Sequence, residues 1–339
     1  MDRLRAYIAG TGFYVPPRVV TNQDLIDLGI ATTNEWIVSR SGIEERRFSE
    51  DGEGPSDMAL PAARDAIDRA GLRPEDIDFI AFATLSPEHA FPGSGCYLQA
   101  ALGLPGVPAL DVRNQCSGFL YALGCARGMV ESRMAKNVLV VGAEKHSAAL
   151  DLTTGGRSVS CLFGDGAGAV VVRGTGDPER GIRSMTLGAD GRFADALAQK
   201  VWDTRNRPFI PQDAAGRGIV EKRMMWAHMD GKRVFKSAVE TMLLSVLRLC
   251  RENDIEAKDL DLLVCHQANL RINEFVRDQL GLPAAKVPGN IQKYGNTTAA
   301  TIPILLSELE RDGRLEPGMK VALVAFGSGF TWGSAYMIW

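Results

Sequence analysis

No CxxC pair occurs among the six cysteines, at positions 96, 116, 125, 161, 250 and 265, and their spacing has no period. That excludes a disulfide framework or a zinc ribbon and leaves reduced thiols, each by default a small buried apolar residue. Histidine is scarce: only His89, His146, His228 and His266 occur in 339 residues. There is no run of about 18 apolar residues, so no membrane span is expected. No signal-like apolar stretch opens the chain, which starts Met1-Asp2-Arg3-Leu4-Arg5 and runs into a strand-like segment, so a cytoplasmic location is expected. Neither charge dominates: 38 Lys and Arg stand against 41 Asp and Glu, a formal net charge of -3, and no global basic field would gather nucleic acid. What remains is an ordinary globular profile, 45% hydrophobic and 23% charged, with enough length for one large domain or two smaller ones.

The chain repeats itself. Residues 72–84 read LRPEDIDFIAFAT and residues 255–267 read IEAKDLDLLVCHQ, an offset of 183. Lys136 to Val141 (KNVLVV) matches Met319 to Val324 (MKVALV) at the same offset, and Leu102-Gly103-Leu104-Pro105 recurs as Leu280-Gly281-Leu282-Pro283 at 178. Each match is weak alone; three in order imply a duplicated fold. Both parts alternate helix-like and strand-like segments. Helices are expected over 56–71, 119–131, 234–253, 270–280 and 300–312, and strands over 77–84, 109–112, 137–142, 168–173, 261–265, 320–326 and 333–338. Thr21 and Asp24 are spaced for a capping box. The expectation is an α/β protein with a duplicated half at 1–180 and another at 181–339. The stretch 192–230, with Trp202, Pro208 and Pro211, has no clean period and reads as a long substrate-side insertion.

Cys116 lies between the apolar run at 109–112 and the helix-like segment from Phe119. A thiol at a strand-to-helix junction faces the positive end of the helix dipole, which favours the thiolate; the alternative is a packed cysteine at a turn. His266 ends the strand Leu262 to Cys265, where a lone histidine is more often a core residue. His89 is its closest rival, and His146 and His228 are expected at the surface. Asn296, after Gly295 and before a helix, reads locally as a cap. The repeat changes that balance: Cys116 shifted by 183 is Ala299, so Cys116 and Asn296 should approach each other across a pseudo-twofold axis, with His266 ending the neighbouring strand. Gly164-Asp165-Gly166-Ala167-Gly168 precedes a strand, not a helix, and so is a tight turn, not a phosphate loop. Gly10-Thr11-Gly12 lacks the rest of a dinucleotide fingerprint. Gly327-Ser328-Gly329 lets backbone N–H groups approach a ligand, and one of them with the N–H of Cys116 would form an oxyanion hole.

Together these segments resemble the β-ketoacyl-acyl carrier protein synthase III family over nearly the whole chain. The resemblance is carried by Asn34-Glu35-Trp36-Ile37-Val38 with Arg40-Ser41-Gly42-Ile43, His89-Ala90-Phe91-Pro92, the Cys116 segment, Phe163 to Ala169, His266-Gln267-Ala268-Asn269-Leu270-Arg271, Tyr294-Gly295-Asn296-Thr297 and the C-terminal GSGFTWGSA. It implies a thiolase fold in five layers, α-β-α-β-α, a homodimer, and a two-stage cycle with no metal or redox cofactor. An acyl-CoA would acylate Cys116; malonyl-carrier protein would then decarboxylate and attack the thioester. His266 and Asn296 would donate hydrogen bonds to the malonyl thioester oxygen, and the N–H groups of Cys116 and Ser328 would hold the acyl oxyanion. By the same resemblance Trp36, Arg40 and Arg157 would hold the adenine end of CoA, Asn269 and Gly231 would line the pantetheine channel, Phe91 would limit the acyl pocket from a partner subunit, and Lys236 and Arg271 would meet the carrier protein. The sequence departs from the family pattern at Gln115, Cys265, Ser328, Lys232, Asp278 and Gln279. The rival is an acyltransferase on the same fold that moves the Cys116 acyl group to a hydroxyl or amine, with His266 as general base.

Overall fold

The computed structural model describes residues 4–201, 203–210 and 212–339; Met1 to Arg3, Trp202 and Pro211 lie outside the described residues. Two sheets form its frame. The first contains β1 (Arg5–Tyr14), β2 (Phe79–Ala83), β3 (Ala109–Val112), β4 (Asn137–Glu144) and β5 (Gly166–Thr175), in the order β1-β5-β4-β2-β3. The second contains β6 (Gly181–Ala189), β7 (Leu262–Cys265), β8 (Lys320–Gly327) and β9 (Thr331–Ile338), in the order β7-β8-β9-β6. The pair β2 and β4 is parallel, as is β7 and β8; β4 with β5, β5 with β1, β8 with β9 and β9 with β6 are antiparallel. Each strand of the second sheet thus has a counterpart of the same order and sense in the first, and only β3 has none.

The helices repeat in the same way: α1 (Pro55–Arg69), α2 (Ser94–Ala101) and α3 (Gly118–Glu131) answer to α4 (Gly231–Glu252), α5 (Leu270–Gln279) and α6 (Thr301–Arg311). Small polar motifs explain why the repeat was visible in the sequence. Asp76 accepts the N–H of Arg73 at 2.8 Å, and Asp259 accepts that of Glu256 at 2.9 Å, each closing the turn before a strand. One residue before each strand pair, Asp78 accepts the N–H of Lys136 and Asp261 that of Lys320, both at 2.8 Å. The capping box at Thr21 and Asp24 is also present.

Helices α3 and α6 fill the space between the sheets. Phe119, Leu120, Leu123 and Val130 of α3 and Ile302, Leu305, Leu306 and Leu309 of α6 pack with Val138, Val140, Val170 and Val172 from one sheet and Val321, Leu323, Ala335 and Met337 from the other. The alternate residues of the same strands face outward, Leu139 and Val141 beneath α1 and α2, and Val324 and Phe326 beneath α4 and α5. Both faces of each central strand are therefore buried, which is why β4 and β8 read as unbroken apolar runs and not as alternating ones. Each large aliphatic chain so buried contributes about 1.5–3 kcal/mol. The result is five layers, helix, sheet, helix, sheet, helix.

The described residues of 192–230 carry only short elements. The base of this excursion is a two-residue ladder between Leu197–Ala198 and His228–Met229. Arg46 ties another excursion, the segment between β1 and α1, to the frame. It is fully buried, and its guanidinium donates to Asn22 Oδ1 at 2.9 Å, Val20 O at 3.3 Å and Cys161 O at 2.8 Å. Burial lowers it to about 10, still charged at neutral pH.

Candidate active site

Cys116 sits in a turn, Gln115–Ser117, between β3 and α3. Gln115 has φ 44, and Thr298, its counterpart one repeat later, has φ 50 in the turn Thr298–Ala300 before α6. A β-branched residue in the left-handed region carries strain on the order of 1–3 kcal/mol and persists only where its neighbours hold it. The two turns pack against each other, and a Cβ on Gly118 would lie 3.6 Å from that of Ala299. From the third side comes the end of β8: a Cβ on Gly327 would stand 2.7 Å from Cys116 Cβ, so any other residue there would displace the cysteine. The backbone N–H groups of the next residue, Ser328, and of Cys116 itself favour the charged form of the sulfur. The Ser328 side-chain hydroxyl donates to the carbonyl of Leu197, fastening the loop to the base of the 192–230 excursion.

The thiol corrects one expectation. The helix start was expected to favour the thiolate, yet burial, and secondarily the Glu144 carboxylate, push the Cys116 thiol up to about 12 against the two N–H donors. Desolvation of the buried sulfur opposes the thiolate. The resting residue is therefore a neutral thiol that must lose its proton to react.

His266 follows β7, and its N–H donates to Val324 O at 2.8 Å, which continues the β7 and β8 ladder. The ring is buried, and burial pulls its pKa down to about 3, so it is neutral at working pH. Nδ1 lies 2.7 Å from Thr301 Oγ1, while Nε2 is buried with no hydrogen-bond partner among the described residues. An orphaned buried nitrogen of this kind calls for a ligand. The Thr301 hydroxyl also lies 3.0 Å from Thr298 O. With its single proton on that carbonyl, Nδ1 must donate to Thr301 and Nε2 keeps a lone pair. Rotated toward Nδ1, it leaves the proton on Nε2. The neutral ring is thus a base in one tautomer and a donor in the other, each matched by one orientation of the Thr301 hydroxyl, and passing between them requires a proton lost from one ring nitrogen and gained at the other.

Asn296 is held twice. Its backbone N–H donates to Leu162 O at 2.8 Å and its carbonyl accepts from Gly164 at 3.1 Å. Its side-chain oxygen accepts the N–H of Thr298 at 2.8 Å, so the NH2 end is the one left for a ligand. Gly295 has φ 61 and ψ -154, a region open essentially to glycine alone. The neighbouring Asp165 is buried and accepts from Ser49 N at 2.8 Å and Ser147 N at 2.9 Å. The glycine-rich 164–168 segment is a clamp beside the site.

Trp36, Arg40, Arg157 and Asn269 gather at one place on the surface. The guanidinium carbons of Arg40 and Arg157 lie 4.8 Å and 5.0 Å from the Trp36 ring centre, and Asn269 Nδ2 donates to Arg40 O at 2.8 Å. Gly231 opens α4, and Lys236 one turn on is exposed. Arg271 is exposed and lies 5.5 Å over the ring of Phe235. Phe91 is 85% exposed.

Four residues of the site were missed in the sequence. Thr298 and Thr301 are two of them. Glu144, which closes β4, is fully buried and accepts from Thr84 Oγ1 at 3.1 Å, Leu85 N at 3.1 Å, Ser86 Oγ at 2.7 Å and the Ala299 N–H. A charge closing the apolar run Val138 to Ala143 was the available signal, since glutamate is rarely fully buried without a task. His146, expected at the surface, is instead buried, with Nε2 2.6 Å from Thr298 Oγ1. The polar sequence around it misled, because Ser147 turns inward to Asp165. His228 is exposed.

Burial raises the Glu144 carboxyl from its ordinary 4.5 to about 7 against its donors. Between those values the folded chain keeps a proton that the unfolded chain has released, so stability falls as pH rises through this window. The loss amounts to roughly 3 kcal/mol. Thermal unfolding followed from about pH 5 to about pH 8 should show a distinctly shallower decline in Glu144→Gln. Parallel curves for the two proteins would refute this titration.

Two pseudo-symmetric halves in five layers, with a cysteine at a helix start on their shared axis, define the thiolase fold and the class of condensing enzymes built on it. Family models described as 3-oxoacyl-(acyl-carrier-protein) synthase III and as its C-terminal part match residues 110–191 and 250–339. The β-ketoacyl-(acyl-carrier-protein) synthase III 1 of Vibrio parahaemolyticus is 45% identical over 328 residues, covering 97% of this chain and 98% of its own. The crystal structure of 3-oxoacyl-(acyl-carrier-protein) synthase III from Aquifex aeolicus superposes with a TM-score of 0.88 at 39% identity, over 98% of this chain and 100% of that one. A priming β-ketosynthase from a polyketide biosynthetic pathway also gives 0.88, at 32% identity over 99% and 97%. The chain belongs to the 3-oxoacyl-(acyl-carrier-protein) synthase III family, and with it to the acyl-transferring enzymes.

Proposed function

We propose that the protein takes an acyl group from acyl-CoA onto Cys116 and condenses it with malonyl-carrier protein, releasing carbon dioxide. The observation that carries this reading is the orphaned Nε2 of His266, buried with no hydrogen-bond partner among the described residues. In the first stage the Cys116 proton leaves, His266 Nε2 in its lone-pair form being the acceptor at hand. Sulfur then attacks the acyl-CoA carbonyl, the N–H groups of Cys116 and Ser328 hold the oxyanion, and the carbonyl re-forms as the bond to CoA breaks, CoA leaving as a thiol with the proton His266 had taken. In the second stage Nε2–H and the Asn296 amide donate to the malonyl thioester oxygen. The carboxylate leaves as carbon dioxide, its bonding electrons form the enolate, and the enolate carbon attacks the Cys116 thioester and returns the thiolate.

The surrounding residues fit these substrates. Two guanidiniums against the Trp36 indole suit an adenine and its phosphates. Asn269 and Gly231 then flank the pantetheine arm. A cavity of about 730 Å³ beside the Phe326 and Phe330 rings is lined by charges of both signs, Asp190, Asp230 and Glu240 among Arg192, Lys232, Arg233 and Lys236; at its rim the exposed Lys236, with the exposed Arg271, is a cation available to an acidic carrier. Strand β3 is a sheet edge with Leu110 exposed and Phe91 standing free nearby, which supports a second copy of this chain as partner, with Phe91 reaching across to limit the acyl pocket. We read residues 1–180 and 181–339 as the two halves, since β5 ends at Thr175 and β6 begins at Gly181. The cycle as written needs no metal or redox cofactor. Among the described residues no helix is long and apolar enough to cross a membrane, and six unpaired thiols suit the reducing cytoplasm.

The purified protein, given acyl-CoA and malonyl-carrier protein together, should release carbon dioxide and form a β-ketoacyl-carrier protein in equal amounts. Transfer of the acyl group to an alcohol or amine without carbon dioxide release would replace this reading with simple acyl transfer.

A further inference from the structure

Two residues beyond the end of β4, His146 occupies a place that the chemistry above does not use. Its ring is buried, lies tilted against Phe163 with centroids 4.5 Å apart, and brings Nε2 to 2.6 Å from the Thr298 hydroxyl. The segment carrying it is itself anchored, with Lys145 N donating to Ser86 Oγ at 2.9 Å and Ser147 N to Asp165 at 2.9 Å. Thr298 is a branching point. Its N–H fixes the Asn296 side-chain oxygen at 2.8 Å, and its carbonyl accepts from Thr301, which in turn lies 2.7 Å from His266 Nδ1. Thr298 also has a left-handed φ of 50, which neighbours must enforce. The backbone of Asn296 is held independently by Leu162 and Gly164. What the His146 contact adds is therefore confined to the orientation of Thr298, and through its N–H to the Asn296 side chain.

We propose that His146 is a positioning residue for the carbon–carbon bond-forming stage: by gripping the Thr298 hydroxyl it holds the Thr298 N–H on the Asn296 side-chain oxygen and so aims the Asn296 amide at the substrate oxygen. The proposal rests on the function proposed above, in that it assigns Asn296 and His266 to decarboxylation. Burial keeps the His146 imidazole neutral, pulled down to about 3, so the grip persists across the working pH range.

The test separates the two stages. His146→Leu keeps an apolar side chain in the pocket and removes the ring nitrogens. Its acylation by acetyl-CoA, read as the mass added to Cys116, should stay within about two-fold of the parent, while carbon dioxide release from malonyl-carrier protein should fall roughly ten-fold, as expected for one lost buried hydrogen bond. Thr298→Val, which keeps the shape and removes the hydroxyl, should reproduce this split, and His146→Gln, which restores a polar end, should recover much of the loss. His146→Leu combined with Asn296→Ala should release carbon dioxide no more slowly than Asn296→Ala alone. A His146→Leu protein that loses both stages in equal proportion, or neither, overturns the proposal, as does full additivity in the double variant. If Asn296→Ala itself decarboxylates like the parent, the assignment of Asn296 fails and this proposal falls with it. If Asn296→Ala is inactive and His146→Leu is normal, only this proposal falls.

Discussion

Exposed to a short or medium acyl-CoA and weighed by mass spectrometry, the parent protein should gain one acyl group per chain, and Cys116→Ser should gain none. The expected loss of acylation rate is on the order of a thousand-fold or more, because an unactivated hydroxyl is a far poorer nucleophile than a thiol near neutral pH. The environment sharpens the difference. Burial that pushes the thiol up to about 12 penalises only the charged form. The thioester is neutral, so the same enclosure favours the acyl-enzyme over the thiolate and keeps water from it. Serine differs from cysteine by one atom, and the turn at Gln115–Ser117 and the close approach of Gly327 should survive the change. Loss of labelling would then report chemistry, not folding. Cys96 and Cys125 are the exposed thiols, so the label must be assigned by peptide, not by total mass alone. Equal acylation of the parent and Cys116→Ser would remove Cys116 as the nucleophile.

How far this site could be read beforehand depended on what kind of fact was needed. The repeat was legible because it is written in local polar contacts, Asp76 with Arg73 and Asp259 with Glu256, that each copy of the fold needs for its own turn. It placed Cys116 opposite Ala299, and the structure sets those two turns against each other. The unbroken apolar run at 137–142 read as a buried strand, and β4 is buried along nearly its whole length. What stayed hidden was set by burial and by direction. A helix start promises a low thiol pKa only where solvent or cations share the site; around Cys116 enclosure decides the sign. His146 looked like a surface residue among Lys145 and Ser147, and nothing local said that Asp165 draws that segment inward. Which nitrogen of His266 faces a ligand, and which end of the Asn296 amide, follow only from Thr298 and Thr301. Positions were legible; protonation and orientation were not.

That difference determines what His266 and Asn296 should do when removed. Asn296→Ala is expected to load acyl groups onto Cys116 at close to the parent rate and to lose carbon dioxide release from malonyl-carrier protein by about a hundred-fold or more, the cost of one donor at a developing oxyanion. His266→Ala should suffer at least as much in that stage, since it removes the donor whose Nε2 is buried and unpartnered. Its acylation should persist but slow at neutral pH, because the thiol, pushed up to about 12, has lost the neutral ring that could take its proton. Raising the pH supplies hydroxide as the acceptor, so acylation by His266→Ala should climb steeply where the parent changes little. No pH should restore decarboxylation, which lacks a hydrogen-bond donor and not a base. Recovery of both stages at high pH would mean that His266 acts only as a base, the role required by transfer to a hydroxyl or amine. Loss of acylation at every pH would mean that the ring is needed to form the pocket, and the division of labour between the two side chains would have to be abandoned.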